Sequence, residues 1–336
     1  MENVLSFAAA ALAGALTIAP AIGETAGAKA EPLLQLEAKI PLGGVRGRID
    51  HMAIDLTRRR LFVAALGNDS VAVVDLHAQR LERSIGKLSE PQGVGYVPAT
   101  DTLYVANAGD GSVRLFKGAD LSPSGRIELG SDADNVRVDA NAGRVLIGNS
   151  DGALTILDAA TQRKIASVAL KAHPESFQLD ENTGRIFVNV PNSRAIDVVD
   201  RASAKKIASW STGGRRANFA MALDQARQRV LVAFRHPAEL GVFAAADGAL
   251  ITSIPTCGDV DDVFVDAKRD RVYLSCGDGF IDVLAVDGAA YRRAAHITTS
   301  GGARTSLFVP ELDRLMLAVP ARGSTPAAIW IYRPSP

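Results

Sequence analysis

The sequence has little of what usually identifies an enzyme or a nucleic-acid-binding protein. It has 37 Lys and Arg against 37 Asp and Glu, so its formal net charge is zero. Balanced charge without a basic run argues against a nucleic-acid partner. The sequence also lacks a G-x-S-x-G nucleophile elbow, a P-loop, a C-x-x-C-H haem site and paired C-x-x-C ligands. Covalent catalysis by serine is therefore unsupported.

Long apolar runs are also scarce, and the only candidate lies at the start, from Leu5 to Gly23. It is interrupted by Pro20, and Ala28 to Ala30 form an A-x-A cleavage site. We predict that residues 1–30 are a secretory signal peptide and that the mature chain is periplasmic or secreted. The segment before the apolar run has no Lys or Arg, so a misassigned start or an uncleaved anchor stays an alternative. A transmembrane helix is less favoured, because the stretch is rich in Ala and Gly and contains Pro.

The rest of the chain is an internal repeat, clearest from Asp134 to Asp158. Related segments recur about every 42 residues, a period typical of repeat architectures. The residue that ends the first apolar run of each copy is named here the marker residue. There are seven: Asp55, Pro98, Asp139, Asp180, Asp224, Asp266 and Pro310.

Each repeat contains three short apolar runs and a weaker fourth, for example Lys164 to Leu170. The runs are rich in Val, Ile, Leu, Phe and Tyr and are bounded by turn residues, which indicates strands. Four strands at this period predict a propeller blade. The last repeat ends after three strands, and residues 33–42 can supply its fourth. We therefore predict an all-β fold, one seven-bladed β-propeller over residues 31–336, whose N-terminal strand completes the last blade and closes the ring.

Five repeats also place an arginine five residues after the marker aspartate. The five arginines are Arg60, Arg144, Arg185, Arg229 and Arg271. An Asp and an Arg that flank a tight turn are expected to hold the hairpin by hydrogen bonds and a weak ion pair.

Cysteine is rare, with Cys257 and Cys276 in the similar contexts TCGDV and SCGDG. In propeller order, both lie on connections that open onto the same face of the sixth blade. A disulfide is the prediction for an oxidising compartment, and two free thiols are the alternative. These two residues alone lack the remaining ligands of a zinc site.

One segment carries a family resemblance, LYVANAGDGSVRLF from Leu103 to Phe116. Tyr104 to Asn107 stand where the YVTN repeat has its signature, and looser versions begin at Phe62, Ile186 and Leu315. The chain resembles the YncE-like seven-bladed propellers of bacterial periplasms. This resemblance implies architecture, since the fold hosts binding scaffolds, lactonases, lyases and dehydrogenases alike.

Polar side chains gather where the innermost strands are predicted to begin, four to seven residues before each marker. We expect these groups to converge on one funnel at the end of the central channel. The predicted metal ligands are Asp50, His51, Asp134, His173, Asp261 and Asp262. The predicted ligand-binding residues are Gln92, Asn135, Glu175, Asn218, Arg304 and, from a loop of the fifth repeat, Arg235 and His236.

Carboxylates crowded at a narrow opening repel one another unless a cation offsets them, so the array indicates a divalent metal or a polar ligand. Oxygen ligands suit Ca²⁺, whereas two histidines with a carboxylate suit Zn²⁺. The alternative is that the aspartates cap turns and the histidines are satisfied by backbone.

Two functions follow. The first is a monomeric binding propeller that holds a small molecule, a metal or a protein at its funnel. The alternative is a metal-dependent lactonase or lyase, in which His51 or His173 acts as general base.

Overall fold

The structure is a computed structural model that describes residues 1–2, 8, 31–149 and 152–336. The predicted signal peptide, residues 1–30, lies almost wholly outside the described residues and stays a prediction. Leu33–Pro336 forms one compact unit, which holds the strands described below. In the described part of the chain, no helix is long and apolar enough to cross a membrane.

Seven antiparallel sheets of four strands are present among the described residues, and in six of them the strands follow chain order. The first three blades consist of β2 (Met52–Asp55), β3 (Arg60–Ala65), β4 (Ser70–Asp75) and β5 (Arg80–Ile85); β6 (Pro91–Val97), β7 (Thr102–Asn107), β8 (Ser112–Lys117) and β9 (Pro123–Glu128); and β10 (Val136–Asp139), β11 (Arg144–Asn149), β12 (Ala153–Asp158) and β13 (Lys164–Ala169).

The next three blades have the same arrangement. They consist of β14 (Phe177–Asp180), β15 (Arg185–Val190), β16 (Ala195–Asp200) and β17 (Lys205–Ser211); β18 (Arg216–Asp224), β19 (Arg229–His236), β20 (Ala238–Ala244) and β21 (Leu250–Pro255); and β22 (Val260–Asp266), β23 (Arg271–Cys276), β24 (Phe280–Asp287) and β25 (Ala290–Thr298).

The seventh blade joins the two ends of the repeat region. Its strands are β26 (Ser306–Val309), β27 (Arg314–Val319), β28 (Ala328–Pro334) and the N-terminal β1 (Leu34–Pro41). β1 pairs antiparallel with β28, from Leu34 opposite Pro334 to Pro41 opposite Ala328. The predicted seven-bladed propeller and its closure by the N-terminal strand are both confirmed. Closure removes the open edge that β28 would otherwise present.

The core lies between blades, where buried side chains of adjacent sheets pack against each other. Between the first two blades, for example, Phe62 and Val73 belong to the same apolar cluster as Val94 and Leu103. A comparable cluster lies at each of the other six seams in the described chain. Because both faces of the middle strands are covered, β3 is buried continuously from Leu61 to Ala65. Each blade is stabilised mainly by its neighbours.

The marker aspartates hold the turns between the first two strands of their blades. All five are at most 3 % exposed, and Asp55 accepts the backbone N–H groups of Thr57 and Arg58 at 3.0 and 3.1 Å. Where proline is the marker, a short 3-10 helix forms the turn instead, at Pro98–Thr100 and Pro310–Leu312. Two further 3-10 helices, Leu66–Asn68 and Pro191–Ser193, join later strands.

The arginines opposite the marker aspartates act differently from the prediction. Each donates to a backbone carbonyl in an outer turn of the next blade: Arg60 to Gly118, Arg144 to Arg201, Arg185 to Ala245, Arg229 to Gly288 and Arg271 to Ser335. The predicted ion pair within the turn is therefore wrong for these arginines. Asp55, Asp224 and Asp266 pair instead with the arginine three residues later.

Candidate functional site

The innermost strands begin around a polar cavity of about 290 Å³, which we call the funnel. Most of its lining residues lie five or seven residues before a marker, because alternate residues of a strand share a face. The two repeats with proline markers contribute the residue six positions before, Gln92 and Arg304. The complete lining is Arg48, Gln92, Asp132, Asp134, His173, Glu175, Phe219, Arg235, Asp261 and Arg304.

Asp134, His173 and Glu175 form the tightest group in the funnel. One ligand atom from each lies within 4.8 Å of the others. His173 Nε2 is 3.5 Å from one oxygen of Asp134, and its Nδ1 is 3.8 Å from Asp132 Oδ2. His51 Nε2 approaches the other oxygen of Asp134 at 3.8 Å. Asp134 is thus the centre on which both predicted histidines converge.

Several buried atoms of this group lack hydrogen-bond partners among the described residues. They are Asp134 Oδ1, His173 Nδ1 and Asn135 Oδ1. Asp134 is 5 % exposed and Asn135 is 1 % exposed. A buried polar atom without a partner is destabilising by about 1–3 kcal/mol, and by more when it is charged. A cation at this point would satisfy the orphaned carboxylate oxygen.

Burial and mutual repulsion shift the pKa values of the carboxyl groups in the funnel. Burial, and next the charge of Asp134, raise the pKa of Glu175 to about 8. The same two causes raise the pKa of Asp50 to about 8, although Arg48 lies 2.7 Å from it. Burial also tends to raise the pKa of Asp134, but its contact with His173 and the charge of His51 hold it below its ordinary value. Asp134 is therefore the carboxylate that stays ionised.

On the other side of the funnel, two arginines and two aspartates neutralise one another. Arg304 contacts Asp259 at 2.8 Å and Asp261 at 3.0 Å. Arg235 contacts both aspartates, and its guanidinium lies 4.2 Å from the ring centroid of Phe219. Arg235 and Arg304, predicted as ligand-binding residues, are thus occupied by carboxylates of the protein itself.

Other predicted residues lie below the funnel or outside it. Asp50, His51 and Asn135 line a small cavity beneath it, and Asp262 lines the central channel, where it accepts the Ser306 N–H at 2.7 Å. Two positions differ from the prediction. Asn218 is fully buried and hydrogen-bonded to Asn189 and Ala195, and His236 is exposed and outside the funnel lining. Both residues end strand β19 and do not lie in the predicted loop, and strand alternation directs Arg235 inward while His236 faces solvent.

Cys257 and Cys276 are joined by a disulfide, with their Cα atoms 5.9 Å apart. The bond ties the segment before β22 to the end of β23. This segment leads directly to Asp259 and Asp261, the carboxylates that hold the two funnel arginines. The disulfide thereby fixes one wall of the funnel.

Sequence reasoning missed four positions that line or adjoin the funnel. Arg48, Asp132 and Asp259 lie seven residues before their markers, as His173 does. The sequence did indicate these positions, because residues two apart on a strand share a face. A residue seven positions before the marker therefore lies on the same side as the residue five positions before it. Phe219 was missed because it is apolar, although its place in the repeat matches that of Asp134.

The donor set indicates which ion fits. Two carboxylates and an imidazole match the ligands of Zn²⁺ and other transition metals, whereas Ca²⁺ takes oxygen ligands. Three protein ligands leave a position open to an exogenous molecule. The side chain of Arg48, 48 % exposed, is the one arginine of the funnel lining outside the Arg235–Arg304 cluster in the described chain.

Comparison with known structures defines the class of protein. A solved structure described as "Crystal Structure of Mitotic Checkpoint Complex" contains a chain that superposes with a TM-score of 0.76 at 12 % sequence identity, over 98 % of this chain and 98 % of that chain. This likeness shows the fold alone: the protein is a seven-bladed β-propeller. No model of a known protein family matches the chain, and no curated protein matches it.

Proposed function

We propose that this chain is an exported, monomeric propeller of the YncE-like, YVTN-repeat kind, and that its funnel binds a divalent transition metal together with a polar ligand. Asp134, His173 and Glu175 hold the ion. The observation that carries the proposal is the approach of one donor atom from each residue to within 4.8 Å of the others. The Oδ1 atom of the same Asp134 carboxylate, which His51 approaches, has no hydrogen-bond partner among the described residues. The YVTN-like run from Tyr104 to Asn107 and the apolar N-terminal segment support the family and the export.

Charge balance supports an ion at this point. Asp132, Asp134 and Glu175 lie on one side of the funnel. The arginines on the opposite side are neutralised by Asp259 and Asp261. Burial and the charge of Asp134 keep Glu175 largely protonated near neutral pH, and a bound cation would offset the charge that Glu175 gains on ionising.

The open side of the funnel favours a small, oxygen-rich molecule. Arg48 pairs with buried Asp50 at 2.7 Å but is half exposed, so its remaining guanidinium N–H groups can donate to an anionic oxygen that approaches the ion. Gln92 adds amide donors to the same lining. A partner protein that presents a carboxylate satisfies the same chemistry.

Isothermal titration of the purified mature protein with Zn²⁺ tests the proposal. We expect one ion per chain, and Asp134→Asn should weaken binding by more than about tenfold. Glu311→Gln, an exposed change in a 3-10 helix, is the matched control and should leave the affinity unchanged. Absence of stoichiometric binding, together with a Tm that chelators do not alter, contradicts the metal site.

A second candidate function is metal-assisted hydrolysis of a lactone or ester. It is favoured by His51, whose Nε2 lies 3.8 Å from Asp134 and is not part of the proposed ligand set. A neutral imidazole beside a bound ion can accept a proton from water. Turnover of a lactone panel that His51→Ala abolishes, while zinc stays bound, supports the enzyme. Stoichiometric zinc without turnover of any lactone or ester supports the binding protein.

A further inference from the structure

Beneath the funnel and its small adjoining cavity lies the central channel, with a volume of about 370 Å³. The first strands of all seven blades contribute to its wall. His51 borders both the channel and the small cavity under the funnel, so the two spaces adjoin. The channel is large enough for a small organic molecule.

Arg137 on β10 is the one basic side chain other than His51 that lines this channel in the described chain. Its Nη1 donates to the carbonyl of Val136 at 3.1 Å, and its guanidinium lies 5.7 Å from the ring centroid of Phe177. No carboxylate of the described residues forms an ion pair with it. Burial lowers the pKa of Arg137, yet an arginine side chain stays charged in proteins.

Asp262 lines the same channel and attracts Arg137 electrostatically, but the two form no ion pair among the described residues. Arg137 is therefore a cation with free N–H donors in a confined space, without an ion-pair partner among the described residues. An incompletely paired charge of this kind favours the binding of an anion.

The exposed wall of the channel is polar and apolar in about equal shares, and aliphatic side chains supply much of the apolar share. Met52, Val94, Val138, Val263 and Leu307 are among its lining residues. A monoanion with a hydrocarbon body can bury apolar surface against these aliphatic side chains. The planar guanidinium fork matches the two oxygens of a carboxylate.

We propose that the central channel binds a small organic monocarboxylate, whose carboxylate pairs with Arg137 and whose hydrocarbon body packs on Val94, Val138 and Val263. This site is separate from the metal site of the funnel and does not depend on it. The proposal assigns a class of ligand to Arg137, which is not part of the metal site.

Calorimetric titration with hexanoate tests the proposal, with hexanol and hexylamine as probes of the same length that are neutral and cationic. We expect one hexanoate per chain and affinity at least about tenfold above that of either control. Arg137→Gln should weaken hexanoate binding by about ten- to a hundredfold, because it removes a charged hydrogen bond. Arg126→Gln, on the exposed strand β9, is the matched control and should bind as the wild type does.

Equal affinity for hexanoate and hexanol, absence of hexanoate binding, or unchanged binding by Arg137→Gln overturns the proposal. The comparison of the three probes uses the wild-type protein, so it decides the matter even if Arg137→Gln does not fold. Asp134→Asn separates the two sites: it should lose zinc and keep hexanoate. Loss of hexanoate in that variant places the carboxylate in the funnel and contradicts the channel site.

Discussion

Metal binding in the funnel should weaken steeply as the pH falls below 8, because Glu175 must lose a proton before it can act as a ligand. Its pKa is raised from 4.5 to about 8, first by burial and then by the charge of Asp134. His173 must also be neutral to bind an ion. Burial alone would lower its pKa, but the contacts with Asp134 and Glu175 raise it above 6.5. Both groups therefore compete with the metal for protons.

The magnitude follows from the ionised fraction of Glu175. With a pKa near 8, only about 1 % of this carboxyl group is ionised at pH 6, so the apparent Kd for zinc should rise about fiftyfold to a hundredfold between pH 8 and pH 6. This factor corresponds to about 2–3 kcal/mol. Protonation of His173 adds to the loss at the lower pH.

Calorimetric titration at pH 6, 7 and 8, in buffers of different ionisation enthalpy, measures the Kd and the number of protons released. We expect close to one proton from Glu175 at pH 7, and more when His173 also titrates. Glu175→Gln should bind zinc more weakly at pH 8 and show a flatter pH dependence. A Kd that is constant from pH 6 to pH 8, without proton release, refutes the assignment of Glu175 as a ligand.

Three further predictions concern stability. Replacing Cys257 and Cys276 by Ser should lower the free energy of unfolding by about 3 kcal/mol, since the bond closes a loop of sequence separation 19; an unchanged denaturant midpoint contradicts this. Arg185→Ala removes two hydrogen bonds to carbonyls of the next blade and should cost about 2 kcal/mol, whereas exposed Arg163→Ala should cost nothing measurable by the same denaturation. Asp262 has its pKa raised from 3.8 to about 7, so wild-type stability should fall relative to Asp262→Asn as the pH rises from 4 to 7. Parallel Tm profiles of the two proteins would exclude this.

The architecture was predictable because it rests on local patterns. The number of strands and blades follows from short apolar runs, turn residues and a constant period. Because the last repeat is one strand short, residues 33–42 are predicted to complete it. β1 (Leu34–Pro41) pairs with β28 as this argument requires. The position of the funnel was also predictable, since the starts of the innermost strands must meet at one end of the channel.

The contacts between blades were not predictable in the same way. Arg60 lies opposite Asp55 in the register of β2 and β3, yet its guanidinium reaches Gly118 of the next blade. Arg235 and Arg304 come from different blades and meet on the same two aspartates. A long side chain can extend to either neighbouring sheet, and the sequence of one repeat does not specify which. Side-chain pairing across seams therefore required coordinates.

Arg137 illustrates the same limit within one strand. The run VRVD resembles any half-buried strand with a polar residue directed to solvent. Only the closed ring reveals that this face of β10 borders the central channel.

The most direct test of the central claim is an anomalous diffraction map from crystals of the mature protein soaked in Zn²⁺, collected at the zinc absorption edge. The account predicts one strong peak about 2.0–2.2 Å from the ligand atoms of Asp134, His173 and Glu175. A peak elsewhere in the funnel, or no peak in crystals that contain the ion in solution, contradicts it.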